Sequence, residues 1–112
     1  MEDNRTHIIH DRTENRTVGY RIVGSNGNGW LQVVAAEARC NPKDNFCKRQ
    51  GVSIVENRLK HALENGPDNS RRAFVANVRG PRDPRTSEQW RRIDRAILDT
   101  VDNALPLPAA YW

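Results

Sequence analysis

Cysteine is scarce in this 112-residue chain, with Cys40 and Cys47 the only two. That is too few for a disulfide-stapled fold and suits a reduced, intracellular protein. Long hydrophobic runs are missing, and none approaches the ~18–20 apolar residues that a membrane span needs. No apolar segment follows Met1-Glu2-Asp3-Asn4-Arg5, so no secretory leader is read there and a cytoplasmic location is expected. Aromatic residues are only 6% of the chain, which leaves no aromatic ladder of the kind on which single-strand binders stack successive bases. Hydrophobic residues amount to 37%. A chain of this length with so little apolar material predicts one domain over residues 1–112, a thin core and a tendency to self-associate.

Catalytic signatures are missing too. The chain has no G-x-S-x-G elbow, no H-E-x-x-H pair and no phosphate loop ending in G-K-S/T, and an enzyme is not the expectation. No cofactor is implied. His7 and His10 form an H-x-x-H pattern, but on a strand this spacing sends the two rings to opposite faces. Cys40, Cys47 and His61 offer at most three ligands without the short spacing of a zinc knuckle. No metal site is therefore expected.

Arginine is plentiful: 15 of the 18 basic residues are Arg and three (Lys43, Lys48, Lys60) are Lys. Two readings stand, a planar fork for gripping phosphate or the codon bias of a GC-rich genome. The placement is uneven. The stretch from Arg71 to Arg95 holds eight Arg against Asp83, Glu88 and Asp94, whereas residues 1–70 are nearly balanced. A basic cluster of that density is a candidate surface for an anionic partner.

The apolar pattern predicts the order βββ-α-β-α, an α+β fold with an antiparallel sheet, a meander plus one later strand, covered by two helices. Residues 6–10 read as a short strand. Val18, Tyr20 and Ile22 fall on one face of a strand over 17–23, and the run from Gly24 to Gly29 supplies a hairpin turn before a return strand over 30–38. Asp44 reads as the cap of a first helix, with Phe46, Val55, Leu59, Ala62 and Leu63 on its buried stripe, ended by Asn65-Gly66-Pro67. Residues 71–79 read as the fourth strand. A second helix opens with a capping box of Thr86 and Gln89 and carries Trp90, Ile93, Ile97, Val101 and Ala104 on one stripe, until Pro106 and Pro108 stop it. Residues at both chain ends read as a loose N-terminus and a short tail.

The stretch from Arg39 to Gly51 is the most distinctive. It is read as running from a strand end into a helix start, where free N–H groups favour an anion, and Arg39, Lys43, Lys48 and Arg49 surround it. Phe46 reads as a core anchor or as a stacking platform. Gly51 inside a helix costs ~1 kcal/mol relative to Ala, implying close approach of another backbone or a ligand. Arg58 follows two turns later on nearly the same face, placed for a phosphate or for a salt bridge.

The pattern Asp44-x-Phe46-x4-Gly51-x2-Ile54-x3-Arg58, preceded by Cys40-Asn41-Pro42-Lys43, resembles a signature of small phage proteins, best represented by the first family of Thoeris anti-defence proteins. Those are phage-encoded sponges that bind cyclic ADP-ribose isomers without cleaving them. The resemblance covers residues 36–60 well and the following strand and helix in outline. It implies an antiparallel sheet beside two helices, a homo-oligomer (a dimer or higher, a hexamer among the options), and a cyclic nucleotide ligand, with cyclic oligonucleotides bound by some members at separate sites. Arg58 carries over by motif position. Phe74, Asn77, Trp90, Arg91, Arg92 and Arg95 are added for their chemistry, namely forks for phosphate, rings for a base and an amide for base or ribose edges, together with Lys43, Lys48 and Arg49. The expected function is sequestration of a cyclic nucleotide immune signal in the cytoplasm of an infected host. The alternatives are a small nucleic-acid-binding module and an inhibitor of a host protein, either using the Arg-rich 71–95 surface.

Overall fold

Three strands joined by tight turns begin the chain: β1 (His7–Asp11), β2 (Arg16–Ser25) and β3 (Trp30–Arg39), each antiparallel to the next. The hairpin between β2 and β3 places Gly27 and Gly29 at positive φ, 77° and 85°, which L side chains rarely adopt. Helix α1 (Lys48–Asn65) follows, then β4 (Phe74–Arg79), which pairs antiparallel with β3, and α2 (Ser87–Ala104). The sheet order is β1-β2-β3-β4. The α+β class and the βββ-α-β-α order expected from the sequence are thus observed. This computed structural model describes residues 5–105 and 110–111. Expectations placed on residues 1–4, on Pro106, Pro108, Ala109 and Trp112, and on the Ala104 side chain fall outside that description.

Strand alternation divides the apolar residues between two cores. Val18, Tyr20, Ile22, Leu31, Val33, Ala35, Phe74, Ala76 and Val78 point to one face and pack against Ile93, Ile97 and Val101 of α2. Val34, Ala36 and Ala38 point to the other and pack against Val55, Leu59 and Ala62 of α1. The sheet is therefore sandwiched, one helix on each face. The α1 side is built from small residues because that helix comes in close: a Cβ at Gly19 would overlap the Val55 Cγ1 methyl and sit 3.3 Å from Ile8 Cδ1. Gly51 is buried on the same sheet-facing stripe of α1 as Val55, Leu59 and Ala62.

The helix ends differ in how well the sequence announces them. Thr86 caps α2 in the expected box: its side chain accepts from the Gln89 N–H at 3.1 Å, and the Gln89 side chain accepts from the Thr86 N–H at 3.1 Å. Gly66 closes α1, its N–H donating to the Ala62 carbonyl at 2.8 Å. The start of α1 departs from the expectation. Asp44 does not cap it; the helix begins after Cys47, with no side-chain cap. Residues 41–44 form a separate turn, Asp44 N–H to Asn41 carbonyl at 2.9 Å, wrapped around the buried Cys40 thiol, which lies 3.4 Å from the carbonyls of Asn41 and Asp44. Satisfying that thiol holds the Asp44 backbone away from helical continuation. Two expected stripe members also move. Phe46 precedes the helix and meets His10 edge-on at 6.2 Å, and Leu63 is 41% exposed.

Gly19→Ala is expected to lower stability by about 1–3 kcal/mol through overpacking against Val55, read as a shift of the urea midpoint. An unchanged midpoint would show that α1 can move away from β2 without loss.

Candidate functional site

Past the last apolar layer, the α2-facing side of the sheet carries charge. Arg16 of β2 is 1% exposed and Glu37 of β3 is 0% exposed, and the strand register pairs Arg16 with Arg39, two residues along β3 from Glu37 and on the same face. The Arg16 guanidinium donates to Glu37 at 3.0 Å, to both Asp102 oxygens at 2.7 and 3.0 Å, and through Nε to Asp11 at 3.0 Å. Arg39 and Arg71 approach Glu37 at 3.3 and 3.6 Å. Three guanidiniums thus meet three carboxylates. Burial alone would depress the Arg16 pKa, but the hydrogen bonds and charges of Asp102 and Glu37 more than reverse this and raise it above the ordinary arginine value. The Arg16 hydrogen bonds in turn hold Asp102 below the usual carboxylate range, against its own partial burial.

Arg58, the residue carried over by motif, points from α1 to the edge of this network but contacts backbone. Its Nη1 donates to the carbonyls of Glu37 at 2.6 Å and Ala110 at 3.1 Å, and its Nη2 to the Tyr111 carbonyl at 2.8 Å. Ala110 is held from the other side by its N–H to Glu37 Oε1 at 3.1 Å and by the Arg39 N–H to its carbonyl at 2.8 Å. A clamp on the C-terminal segment is therefore part of the role of Arg58. Among the described residues all of its acceptors are neutral carbonyls. Its pKa is pushed down by burial and next by the charge of Arg72, with Glu37 offsetting in part.

Beside that clamp lies a groove of about 340 Å³ lined by Asn57, Arg58, His61, Gly66, Asp68, Arg72 and Ala73. Asn69, next to the lining residue Asp68, is at positive φ, 57°. Asp68 is occupied by the Ser70 hydroxyl at 2.6 Å and the Ser70 N–H at 3.2 Å, and the hydroxyl bond lowers its pKa. The groove therefore presents two guanidiniums, an imidazole and an amide, with one carboxylate already engaged. Sequence reasoning found Arg58 but missed Arg72, His61 and Asn57. Spacing i, i+1, i+4 along α1 was available for three of them, while Arg72 joins only through the loop that returns from α1 to β4.

The remaining expected site residues do not converge. Lys43, Lys48 and Arg49 are exposed around the α1 start, and α1 lies on the sheet face opposite α2. Arg91, Arg92 and Arg95 are exposed on the outer surface of α2; Arg91 Nε reaches the Ser87 carbonyl at 3.4 Å and Arg92 pairs with Glu88 at 2.8 Å. Phe74 is fully buried in the core, and Trp90 packs on that core and stacks on His7 with centroids 4.2 Å apart. Asn77 lies on the α1 side of β4, at the end that α1 does not reach. The Arg71–Arg95 cluster is also split: Arg71 is buried in the ion network, Arg72 is in the groove, and Arg79 stacks on Trp30. His7 and His10 do point to opposite faces, toward Trp90 and Phe46. Among the described residues no group of three His, Cys, Asp or Glu is placed to hold a metal, and no helix is long and apolar enough to cross a membrane.

Arg16→Ala is expected to cost about 3–5 kcal/mol in chemical denaturation, since it strands the buried Glu37; a loss below about 1 kcal/mol would put the weight of the sheet end elsewhere. Acid should weaken the same network. Because the folded pKa of Asp102 is depressed, its contribution is present above the ordinary carboxylate pKa and is lost as pH falls through the folded value. Asp94, raised by burial, acts with the opposite sign. Thermal melts of Asp102→Asn between about pH 5 and pH 2 should therefore fall less steeply than wild type, and parallel curves would exclude Asp102 as the acid-sensitive group. No family model, curated protein or solved structure matches the chain, so the reading of this groove rests on its own geometry.

Proposed function

We propose that the protein binds and sequesters a small cyclic nucleotide, a cyclic ADP-ribose isomer in the first instance, without cleaving it, and that the groove between α1 and the loop 66–73 is the binding site. One observation carries this reading: Arg58 and Arg72 share the groove, the charge of Arg72 adds to burial in lowering the Arg58 pKa, and no carboxylate among the described residues pairs with Arg58 at salt-bridge distance. An anion lodged between two such guanidiniums relieves their repulsion, and forked donors match a pyrophosphate. Asn57 and His61 supply donors and acceptors for ribose or base edges. The volume of about 340 Å³ lies within the range of small-molecule sites, ~300–1,000 Å³.

The turn–helix resemblance to the Thoeris anti-defence sponges supports the ligand class and, with it, a phage origin, action in the host cytoplasm and assembly as a dimer or higher homo-oligomer. A nucleic-acid or host-protein interface spread over residues 71–95 is less well supported, because those arginines are distributed over both faces of the sheet.

Isothermal titration with cyclic ADP-ribose isomers and a panel of cyclic oligonucleotides tests the proposal; no binding tighter than ~10 μM overturns it. Arg72→Ala, rather than Arg58→Ala, is the informative variant, since Arg58 also holds backbone carbonyls that the fold needs. It should weaken binding about tenfold or more with little change in melting temperature. Mass spectrometry of the released ligand should recover it intact, and a cleaved product would instead make His61 a candidate general acid–base.

A further inference from the structure

Helix α1 leaves one end of its sheet face uncovered. Val34, Ala36 and Ala38 lie under α1, but Trp30 and Gln32, earlier on the same face of β3, do not; Trp30 is 36% exposed. Their antiparallel partners on β4 are Arg79 and Asn77. The Arg79 guanidinium carbon sits 4.5 Å from the Trp30 ring centroid, a stacked cation–π pair. Beside it, the Gln32 and Asn77 amides face each other across the strands and make no hydrogen bond among the described residues.

The third wall comes from β2. A bulge between Ile22 and Gly24 shifts the register so that Gly24 pairs with Gln32 and Ser25 with Leu31, and Gly24, Ser25 and Asn26 close a trough of about 310 Å³ with Trp30, Leu31, Gln32 and Asn77. The turn is satisfied internally: Ser25 accepts from the Gly27 N–H and Asn26 from the Asn28 N–H. Gly80 N–H to Gly29 carbonyl, 2.9 Å, fastens the β4–α2 loop to this hairpin. That loop adds Arg82 and Arg85 against the single acid Asp83, which Arg85 already pairs at 3.1 Å.

We propose that this sheet end binds single-stranded nucleic acid, one base stacking on the Trp30–Arg79 pair, its edge meeting the Gln32 and Asn77 amides, and flanking phosphates lying on Arg82 and Arg85. A ring with an arginine on it accepts the flat face of any base, which a duplex hides. Paired amides suit the mixed donors and acceptors of a base edge. Among the described residues that line it the trough has no carboxylate, and the adjoining loop is net basic, which fits a polyanion. It is open along one side, whereas a free small molecule is held by burying most of its surface; a strand compensates through neighbouring nucleotides. This site is on a different part of the molecule from the Arg58–Arg72 groove and does not depend on it.

Fluorescence anisotropy with fluorescein-labelled single strands of about twelve nucleotides, DNA and RNA, in about 100 mM salt tests the proposal. Wild type should bind at least one of them with a Kd below about 100 μM, and Trp30→Ala should weaken that binding fivefold or more. Arg79→Lys, which keeps the charge and loses the planar stack, should weaken it as well. Arg72→Ala should leave it unchanged, and melting curves matching wild type show that the variants are folded. The proposal is overturned by no binding in that range, by a Trp30→Ala effect below fivefold, by equal affinity for the duplex, or by AMP binding as tightly as the strand.

Discussion

Arg16 and Glu37 meet where three parts of the chain are joined. β2 and β3 extend beyond the core layer, α2 ends above them with Asp102, and Ala110 comes back alongside β3. A buried guanidinium with several donors in a fixed plane can satisfy acceptors on all of these at once, which a hydrophobic contact cannot do directionally. The cost of burying such charge is high unless each partner is present. Hence three arginines gather around Glu37 and Asp102, with Asp11 and Glu14 at the margins, although among the described residues the buried Nε atoms of Arg39 and Arg71 find no hydrogen-bond partner. Glu37 is the hub of this network, because its two oxygens serve Arg16, Arg39 and the Ala110 N–H while its own carbonyl takes Arg58.

That arrangement also fixes the candidate groove. Arg58 is oriented by the carbonyls of Glu37, Ala110 and Tyr111, so its side chain is set before any ligand arrives. Rigid placement of this sort lowers the ordering cost of binding. The groove wall opposite is a loop that starts at a left-handed Gly66 and carries Arg72 just before β4 begins. At the other end of the same sheet face, the short reach of α1 leaves Trp30 and its neighbours in solvent. One helix thus shapes both surfaces, one by the side chain it projects and the other by where it stops.

Much of the architecture was legible in the sequence because it is written in local signals. The Gly24–Gly29 turn, the Thr86–Gln89 box and the Asn65-Gly66-Pro67 stop each act through neighbouring backbone groups, and each is found where expected. The 2.0-residue alternation of β2 and the stripe of Ile93, Ile97 and Val101 reported their buried faces correctly. Asp44 misled because its residue type is a good cap, whereas the backbone there is taken up by the turn around Cys40. Trp90 was legible both as a stripe residue and as a ligand ring, and Phe74 only as the latter, yet both belong to the packing; chemistry suited to a ligand is also chemistry suited to packing.

What the sequence by itself determined was the element order, the turn positions and an arginine excess concentrated after residue 70. Only the tertiary structure decided where those arginines go. The loop from α1 to β4 sends Arg71 into the ion network and Arg72 into a groove, while alternation along β4 puts Arg79 onto Trp30 and the outer face of α2 leaves Arg92 in solvent beside Glu88. The physical reason is range. Caps, turns and strand periodicity act over a few residues, while the partners of Arg16 lie 21 and 86 positions away, a separation at which sequence alone carries no geometric signal.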